Sequence, residues 1–372
     1  MKKEAQCMKP EEKKLRFLLG ANTPQGFVSR YDQLTDPQAG LRTYIIKGGP
    51  GSGKSTLIQK VAQELDDGSG DVEYIHCASS VNSLDALILP SKGIAIADGT
   101  PPHVMEPKYP GAVESLVDLT ACWDEDYLYD HREEIIHLTN RSSKCHEYCC
   151  RFLAAAASLL GDNYRIALGC VDTHKLNGYL SRLSERELGK KCTGTGKETV
   201  RFLTAVTDQG IVQYTDTAKL LAKRLFLIND EYGAVSRLIL CYLRSKALAA
   251  GFDVISCYCP LGPFDKLEQL FIPALQIGFI TSNRFHDFSM VVDPYRIINC
   301  QRFTDANKLK EHKKRLTFNR KAAAQMVGQA EVLLREAKEL HDQLEKFYVA
   351  ATDFEKVNAL TQQLIEKLKK QR

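Results

Sequence analysis

Two hydrophobic rhythms alternate along the chain. The short apolar runs at 43–47, 71–77 and 93–97 read as strands. The stretch after the first run, closing at Leu65, carries apolar residues three and four apart and predicts a helix. Thr23-Pro24-Gln25-Gly26 is a turn signal and 66–70 a loop. Strands alternating with helices predict an α/β fold, with a parallel sheet covered by helices. Longer helical tracts follow. One runs from Asp124 to Leu160, where Gly161-Asp162 predicts a break before a second helix to about Leu188. Another runs from Asn307 to Val349. Thr352-Asp353-Phe354-Glu355 then fits a capping box, with Phe354, Val357, Leu360, Leu364 and Leu368 at helical spacing behind it.

The pattern occurs twice. Val200-Arg201-Phe202-Leu203 and Gln209-Gly210-Ile211-Val212 match Leu15-Arg16-Phe17-Leu18 and Gln25-Gly26-Phe27-Val28, 185 and then 184 residues later. The segment 224–239 lies over 43–58 at a shift of 181, and Asp253-Val254 to Cys259 over Asp71-Val72 to Cys77 at 182. Pro273, 277–280 and His286 match Pro90, 94–97 and His103 at 183. Segments recurring in one order at nearly one spacing predict two tandem copies of one unit, each a sheet followed by a helical hairpin. The expected divisions are 1–142, 143–190, 197–305 and 306–372. Gly194-Thr195-Gly196-Lys197-Glu198 falls in the linker; Lys191 stands where a phosphate loop needs its first glycine, and Glu198 where it needs Ser or Thr.

Composition narrows the class. The chain has 372 residues, 44% of them hydrophobic and 26% charged, enough for a substantial core. A net charge of +4 does not by itself point to nucleic acid. The charged amino-terminal segment has no apolar core behind it and does not read as a secretory leader. The longest nearly apolar run, 152–160, falls short of the ~20 residues that span a bilayer. A cytoplasmic protein without membrane contact is expected. Twelve cysteines spread through helix-like and strand-like segments read as reduced thiols. Cys257-Tyr258-Cys259 reads as two buried thiols of a strand. Cys145, His146, Cys149 and Cys150 share a helix face but lack a second ligand pair, so no metal is expected there.

The candidate chemistry lies at 44–58, YIIKGGPGSGKSTLI. Strand, glycine-rich turn and helix in that order form the G-x-x-x-x-G-K-[ST] phosphate loop in its proper context. Glycines let successive N–H groups face one anion, and the helix start adds its positive end. The candidate nucleotide-binding residues are Gly48, Gly49, Pro50, Gly51, Ser52, Gly53, Lys54, Ser55 and Thr56. Lys54 would reach the β- and γ-phosphates, and Ser55 would ligate Mg²⁺. Asp98, ending an apolar strand, is the candidate second Mg²⁺ ligand. Gly99 stands where hydrolysing enzymes of this superfamily often have Glu, so the base is sought at His76, Asp85 or Glu106. In the second copy Gly48, Gly49, Pro50, Gly51, Gly53 and Lys54 become Asn229, Asp230, Glu231, Tyr232, Ala234 and Val235, and Asp98 becomes Thr281. That copy is expected not to bind phosphate. His103 recurs there as His286, which favours a structural role for it. Arg237 and Arg284 are candidate arginine fingers.

At these residues the chain resembles a family of bacterial tandem P-loop ATPase-like proteins. KGGPGSGKST, DVEYIHC, SLDALILP and ADGTPPHVMEPKYPGAV carry the resemblance, which spans nearly the whole chain. It implies ATP binding, with Lys54 and Ser55 on phosphate and Mg²⁺ and Asp98 at the second Walker position. In such proteins the second copy often keeps its own glycine-rich loop, and this chain departs there. The expected function is Mg²⁺-dependent ATP or GTP binding with slow hydrolysis. The alternatives are a small-molecule or nucleotide kinase and a nucleotide-gated binder of nucleic acid or protein.

Charge patterning adds two expectations about partners. The stretch 308–321 carries Lys308, Lys310, Lys313, Lys314, Arg315, Arg320 and Lys321 against Glu311, whereas 124–134 carries six acids against Arg132. Opposite charge on equivalent elements predicts that the two pair within the chain, with nucleic acid as the second choice of partner. The apolar stripe of 322–364 is expected to close its own hairpin or to form a homodimer.

Overall fold

The computed structural model describes residues 14–189, 194–262, 266–288 and 293–371. The amino-terminal segment read for a leader and Lys191 of the linker lie outside them. The first repeat opens with β1 (Leu15–Phe17), a hairpin of β2 (Gly20–Thr23) and β3 (Gly26–Ser29), and β4 (Arg42–Lys47). Then come α1 (Lys54–Leu65), β5 (Glu73–His76), β6 (Leu84–Leu89), β7 (Ile94–Asp98) and β8 (Glu114–Asp118). It closes with α2 (Glu125–Asp130), α3 (Arg132–Leu168) and α4 (Thr173–Leu188). The second repeat runs through β9 (Glu198–Arg201), the hairpin β10 (Thr204–Thr207) and β11 (Gly210–Gln213), α5 (Thr215–Leu221) and β12 (Arg224–Asn229). Next are α6 (Ala234–Ala249), β13 (Val254–Tyr258), β14 (Leu267–Ile272), β15 (Ile277–Ser282) and β16 (Arg296–Asn299). The last helices are α7 (Ala306–Glu311), α8 (Lys313–Ala351) and α9 (Phe354–Lys369).

The two six-stranded sheets share one strand order, β1-β5-β6-β7-β4-β8 and β9-β13-β14-β15-β12-β16. Both are mixed, which corrects the expectation of parallel sheets. β4 runs parallel to β7 and β8, but β6 is antiparallel to β5 and β7. The segments joining β5 to β6 and β6 to β7 are too short for the dozen or more residues of a parallel crossover. The repeats meet where Leu18 and Phe202 exchange backbone hydrogen bonds of 2.9 Å each way. Phe17, Leu19 and Tyr31 there share one core with Phe202, Tyr214, Phe271 and Phe288. A buried ion pair, Arg201 to Glu73 at 2.7 Å, crosses the same boundary.

The helices depart furthest from expectation. No break forms at Gly161-Asp162; α3 runs through it and turns only at 169–172. Glycine's cost in a helix, about 1 kcal/mol, is outweighed by contacts to α8. The Asp162 carboxylate accepts from Arg315 Nε and Nη2 at 2.8 and 2.6 Å, and Asn163 donates to the Leu316 carbonyl at 3.2 Å. The helix expected over 307–349 is interrupted at His312. The capping box does not form either. Asp353, not Thr352, caps α9, accepting from the N–H groups of Glu355 and Lys356. Aspartate is as good a cap as threonine or better, and it stands one residue nearer the apolar stripe.

Neither hairpin closes on itself. α3 and α8 lie antiparallel, Leu138 against Leu340 and Leu344 at one end, Leu153 and Ala156 against Ala323, Val327 and Ala330 nearer the other. A 37-residue helix is about 55 Å long and overshoots its own sheet. The helix that follows therefore packs on the other repeat. Leu176, Leu180 and Leu183 of α4 join the core of the second repeat with Phe226, Ile239 and Leu243. Val357, Leu364, Ile365 and Leu368 of α9 join that of the first with Tyr44, Ile58 and Val61. The stripe expected to dimerise is thus covered within the chain. The antiparallel course also overturns the charge pairing: 124–134 lies at the α9 end of the rod and 308–321 at the α4 end.

No helix among the described residues is long and apolar enough to cross a membrane. The described cysteines are all free, and Cys145 and Cys149 pack in the seam between α3 and α8.

Candidate functional site

The glycine-rich loop leaves the carboxyl end of β4 and enters α1, as its residue order requires. Gly51 and Gly53 take left-handed φ values of +71° and +88°, and Gly53 precedes the first turn of α1 with no side chain capping it. Ser52 is buried, and its hydroxyl donates to the Gly49 carbonyl at 2.8 Å. Lys54 folds back on the loop, donating to the carbonyls of Gly48 and Gly49 at 2.9 and 2.6 Å. Asp98 ends β7 beside β4, in register with Ile46. Its Oδ2 stands 3.5 Å from Lys54 Nζ. Its Oδ1 accepts from Thr100 N and Oγ1 at 2.9 and 2.5 Å, so one oxygen forms the Asx turn and the other faces the loop lysine. Ser55 Oγ accepts from Leu84 N at 2.9 Å and keeps a second lone pair, and Thr56 is exposed.

Gly99 cannot be replaced by Glu here. A Cβ at that position would lie 2.3 Å from Ile45 Cγ2. Of the substitutes, Glu106 is paired with Lys47 at 2.5 Å on the surface. His76 is held through Nδ1 to the Val81 carbonyl at 2.7 Å and lies 5.0 Å from the ring of Tyr214. Burial pushes its imidazole below the usual value.

Asp85 is the one that joins a network. It sits at a β-bulge where pairing slips between Ile75 and His76, a device that re-aims a side chain. Its Oδ2 lies 3.2 Å from His103 Nε2 and 3.5 Å from the Tyr31 hydroxyl. Burial alone would lower the His103 imidazole, but the bond to Asp85 and its charge, with Asp98 adding, raise it. Recurrence as His286 favours a structural role for His103; the structure ties it to Asp85 within the field of Asp98. Tyr31 gave no sequence signal. Asp85, expected in the loop between strands, lies inside β6 instead, as the one acid of an otherwise apolar six-residue strand.

That pair has a testable pH signature. A folded value above the ordinary imidazole value of about 6.5 contributes stability in full below that pH, and loses it as pH rises through the folded value. Asp85→Asn should therefore lower the unfolding free energy by about 1.5–3 kcal/mol below pH 6.5, with the difference shrinking at higher pH. Urea titrations from pH 5.5 to 8.5 measure it. A difference independent of pH would rule the pair out as its source.

The corner between α8 and α9 covers the loop. A Cβ at Gly49 would meet the Tyr348 ring at 2.5 Å, and one at Gly51 would meet the Glu345 carbonyl and Val349 Cγ2, both at 3.0 Å. Glu345 accepts from His341 at 3.3 Å; that bond, with Lys54 adding, holds its carboxyl below the usual range.

The second loop keeps the backbone shape, Gly233 taking φ +72° before α6, and differs in what fills it. Asp230, standing for Gly49, accepts from Tyr232 N at 3.2 Å and Ser236 N at 2.7 Å. These N–H groups correspond to those of Gly51 and Ser55 in the first loop. Glu231 is paired with Arg284 at 3.1 Å and Arg320 at 3.4 Å. Arg237 lies over the Tyr164 ring. Arg284 thus attends the second loop, and Arg237 stacks on a ring of α3, so neither candidate is found on Lys54. Compared with models of known protein families, with curated proteins and with solved structures, the chain matches none.

Proposed function

We propose that the first repeat binds a nucleoside triphosphate, ATP or GTP, with Mg²⁺ and hydrolyses it slowly, while the second binds none. One contrast carries the reading. In the second loop a carboxylate of the chain already satisfies the inward N–H groups, and in the first the corresponding position is Gly49, which has no side chain to do so. Lys54 and Asp98 stand together beside that loop, as the lysine and metal-ligand roles require. Ser55 and Asp98 would hold the Mg²⁺, which supplies charge neutralisation at the phosphates. With position 99 closed to Glu, Asp85 and His103 are the groups placed to orient water, and the missing glutamate accounts for slow turnover. Labelled ATP and GTP titrations with and without Mg²⁺, and phosphate release without an acceptor, test the reading on wild type and Lys54→Ala.

A second reading, nucleotide-gated binding of nucleic acid, is favoured by the α4 end of the rod. Lys308, Lys310, Lys313 and Lys314 are exposed, and Phe318, 67% exposed, stands among them, which suits backbone neutralisation with base stacking. Reversing these four lysines to Glu should leave the unfolding midpoint nearly unchanged, since surface charges contribute about 0–1 kcal/mol each. It should abolish a salt-sensitive gel shift with single-stranded DNA or RNA. No shift by the wild type at low salt would end this reading.

A further inference from the structure

The second repeat holds three donors that its sequence reading left apart. Cys259 Sγ, a Glu268 carboxylate oxygen and a ring nitrogen of His286 lie within 4.8 Å of one another, the one such trio among the described residues. All three are buried. Cys259 follows β13, Glu268 sits at the bulge where β13 and β14 slip register between Cys257 and Tyr258, and His286 follows β15. Three segments thus converge at the sheet's end beside the filled loop. We propose that Cys259, Glu268 and His286 bind a divalent transition metal of the zinc class, with one coordination position left open.

The donor set suits that class. Thiolate, imidazole and carboxylate are zinc's usual ligands, and three protein ligands with a fourth position open mark reactive rather than purely structural zinc sites. The Sγ to Nε2 distance is 3.3 Å, against about 3.6 Å between sulfur and nitrogen ligands of a tetrahedral zinc. Among the described residues the His286 ring's one polar contact is that of Nε2 with the Cys259 thiol, the atom a metal would take over. Adjoining the trio is a cavity of about 50 Å³, lined also by Tyr164, Glu231, Tyr232 and Arg320. That volume accommodates a water on the open position.

Charge balance works through Lys266. Without metal its ammonium donates to Glu268 Oε1, while Thr281 donates to Oε2. Cys259 would bind as the thiolate, its proton released to solvent. The metal's two charges are then met by thiolate and carboxylate. Lys266, lying against Gly233 and within the field of Asp230, turns to the loop carboxylate. In the first repeat the same three positions hold Cys77, Asp85 and His103, but there Tyr31 and His103 both engage the carboxylate.

The test uses the full chain, stripped with chelator and titrated with Co²⁺ and then Zn²⁺. We expect one equivalent of Co²⁺ with the ligand-field bands of a four-coordinate ion and a thiolate-to-metal charge-transfer band, displaced by Zn²⁺. Cys259→Ser should remove the charge-transfer band and weaken Zn²⁺ retention about a hundredfold or more, since even an outer-shell partner is worth 10–100-fold. His286→Asn, for use if the serine variant fails to fold, should weaken retention alike. Cys241→Ser, at an exposed thiol, should change neither. Absence of cobalt uptake, a band that survives Cys259→Ser, or a band lost in Cys241→Ser would each overturn the assignment.

Discussion

A chain ending at Ala351 is expected to lose the ordered first repeat, although every residue removed belongs to the second. Val357, Leu364, Ile365 and Leu368 of α9 are buried against α1 and the sheet of the first repeat. Their burial is worth on the order of 10 kcal/mol, comparable to the whole stability of a domain. Deleting them would also bare Tyr44, Ile58 and Val61. We expect a cooperative transition to be lost, with amide exchange in β4 and α1 rising to that of an unfolded chain while β12–β15 keep most of their protection. Equal protection in both repeats after truncation would show that α9 merely rests on the first. By the same argument residues 1–190 should not fold alone.

Lys54→Ala should weaken triphosphate binding or turnover by about tenfold to a hundredfold, the worth of a hydrogen bond to a charged group, 1.5–3 kcal/mol. The fold should be indifferent, because Lys54 now bonds only to loop carbonyls and faces Asp98. Isothermal titration with Mg²⁺ and single-turnover phosphate release separate the two effects. An unchanged affinity, with an unchanged rate, would remove the first loop from the function. Val235→Lys in the second repeat should not create a site, because Asp230 still occupies the inward N–H groups.

The strands, the loop and the duplication were legible because each is written locally: an apolar run, a glycine spacing, a recurrence of both. The mixed sheet was legible in principle too. Seven residues between β5 and β6 leave no room for a crossover. Exchange of the arms was not legible. An apolar stripe such as that of α9 specifies that something covers it, not which repeat does, and the answer depends on the length of an unbroken α8. Nor could Gly161 announce that Asp162 and Asn163 would tie its helix to α8. The site was half visible. Lys54, Ser55 and Asp98 follow from motif and strand end, whereas Tyr31 and His103 reach Asp85 through the fold alone. The recurrence of His103 as His286 reads as structural, yet the second copy gathers its own donors around His286.

The second loop carries its anions in the chain itself, as Asp230 and Glu231, beside one terminus of α8. Arg320 sits at that terminus, paired to Glu231, and Tyr348 rests on the first loop about 42 Å farther along the same rod. On the proposed reading, one end of the rod meets an anion built into the chain and the other an anion taken from solution.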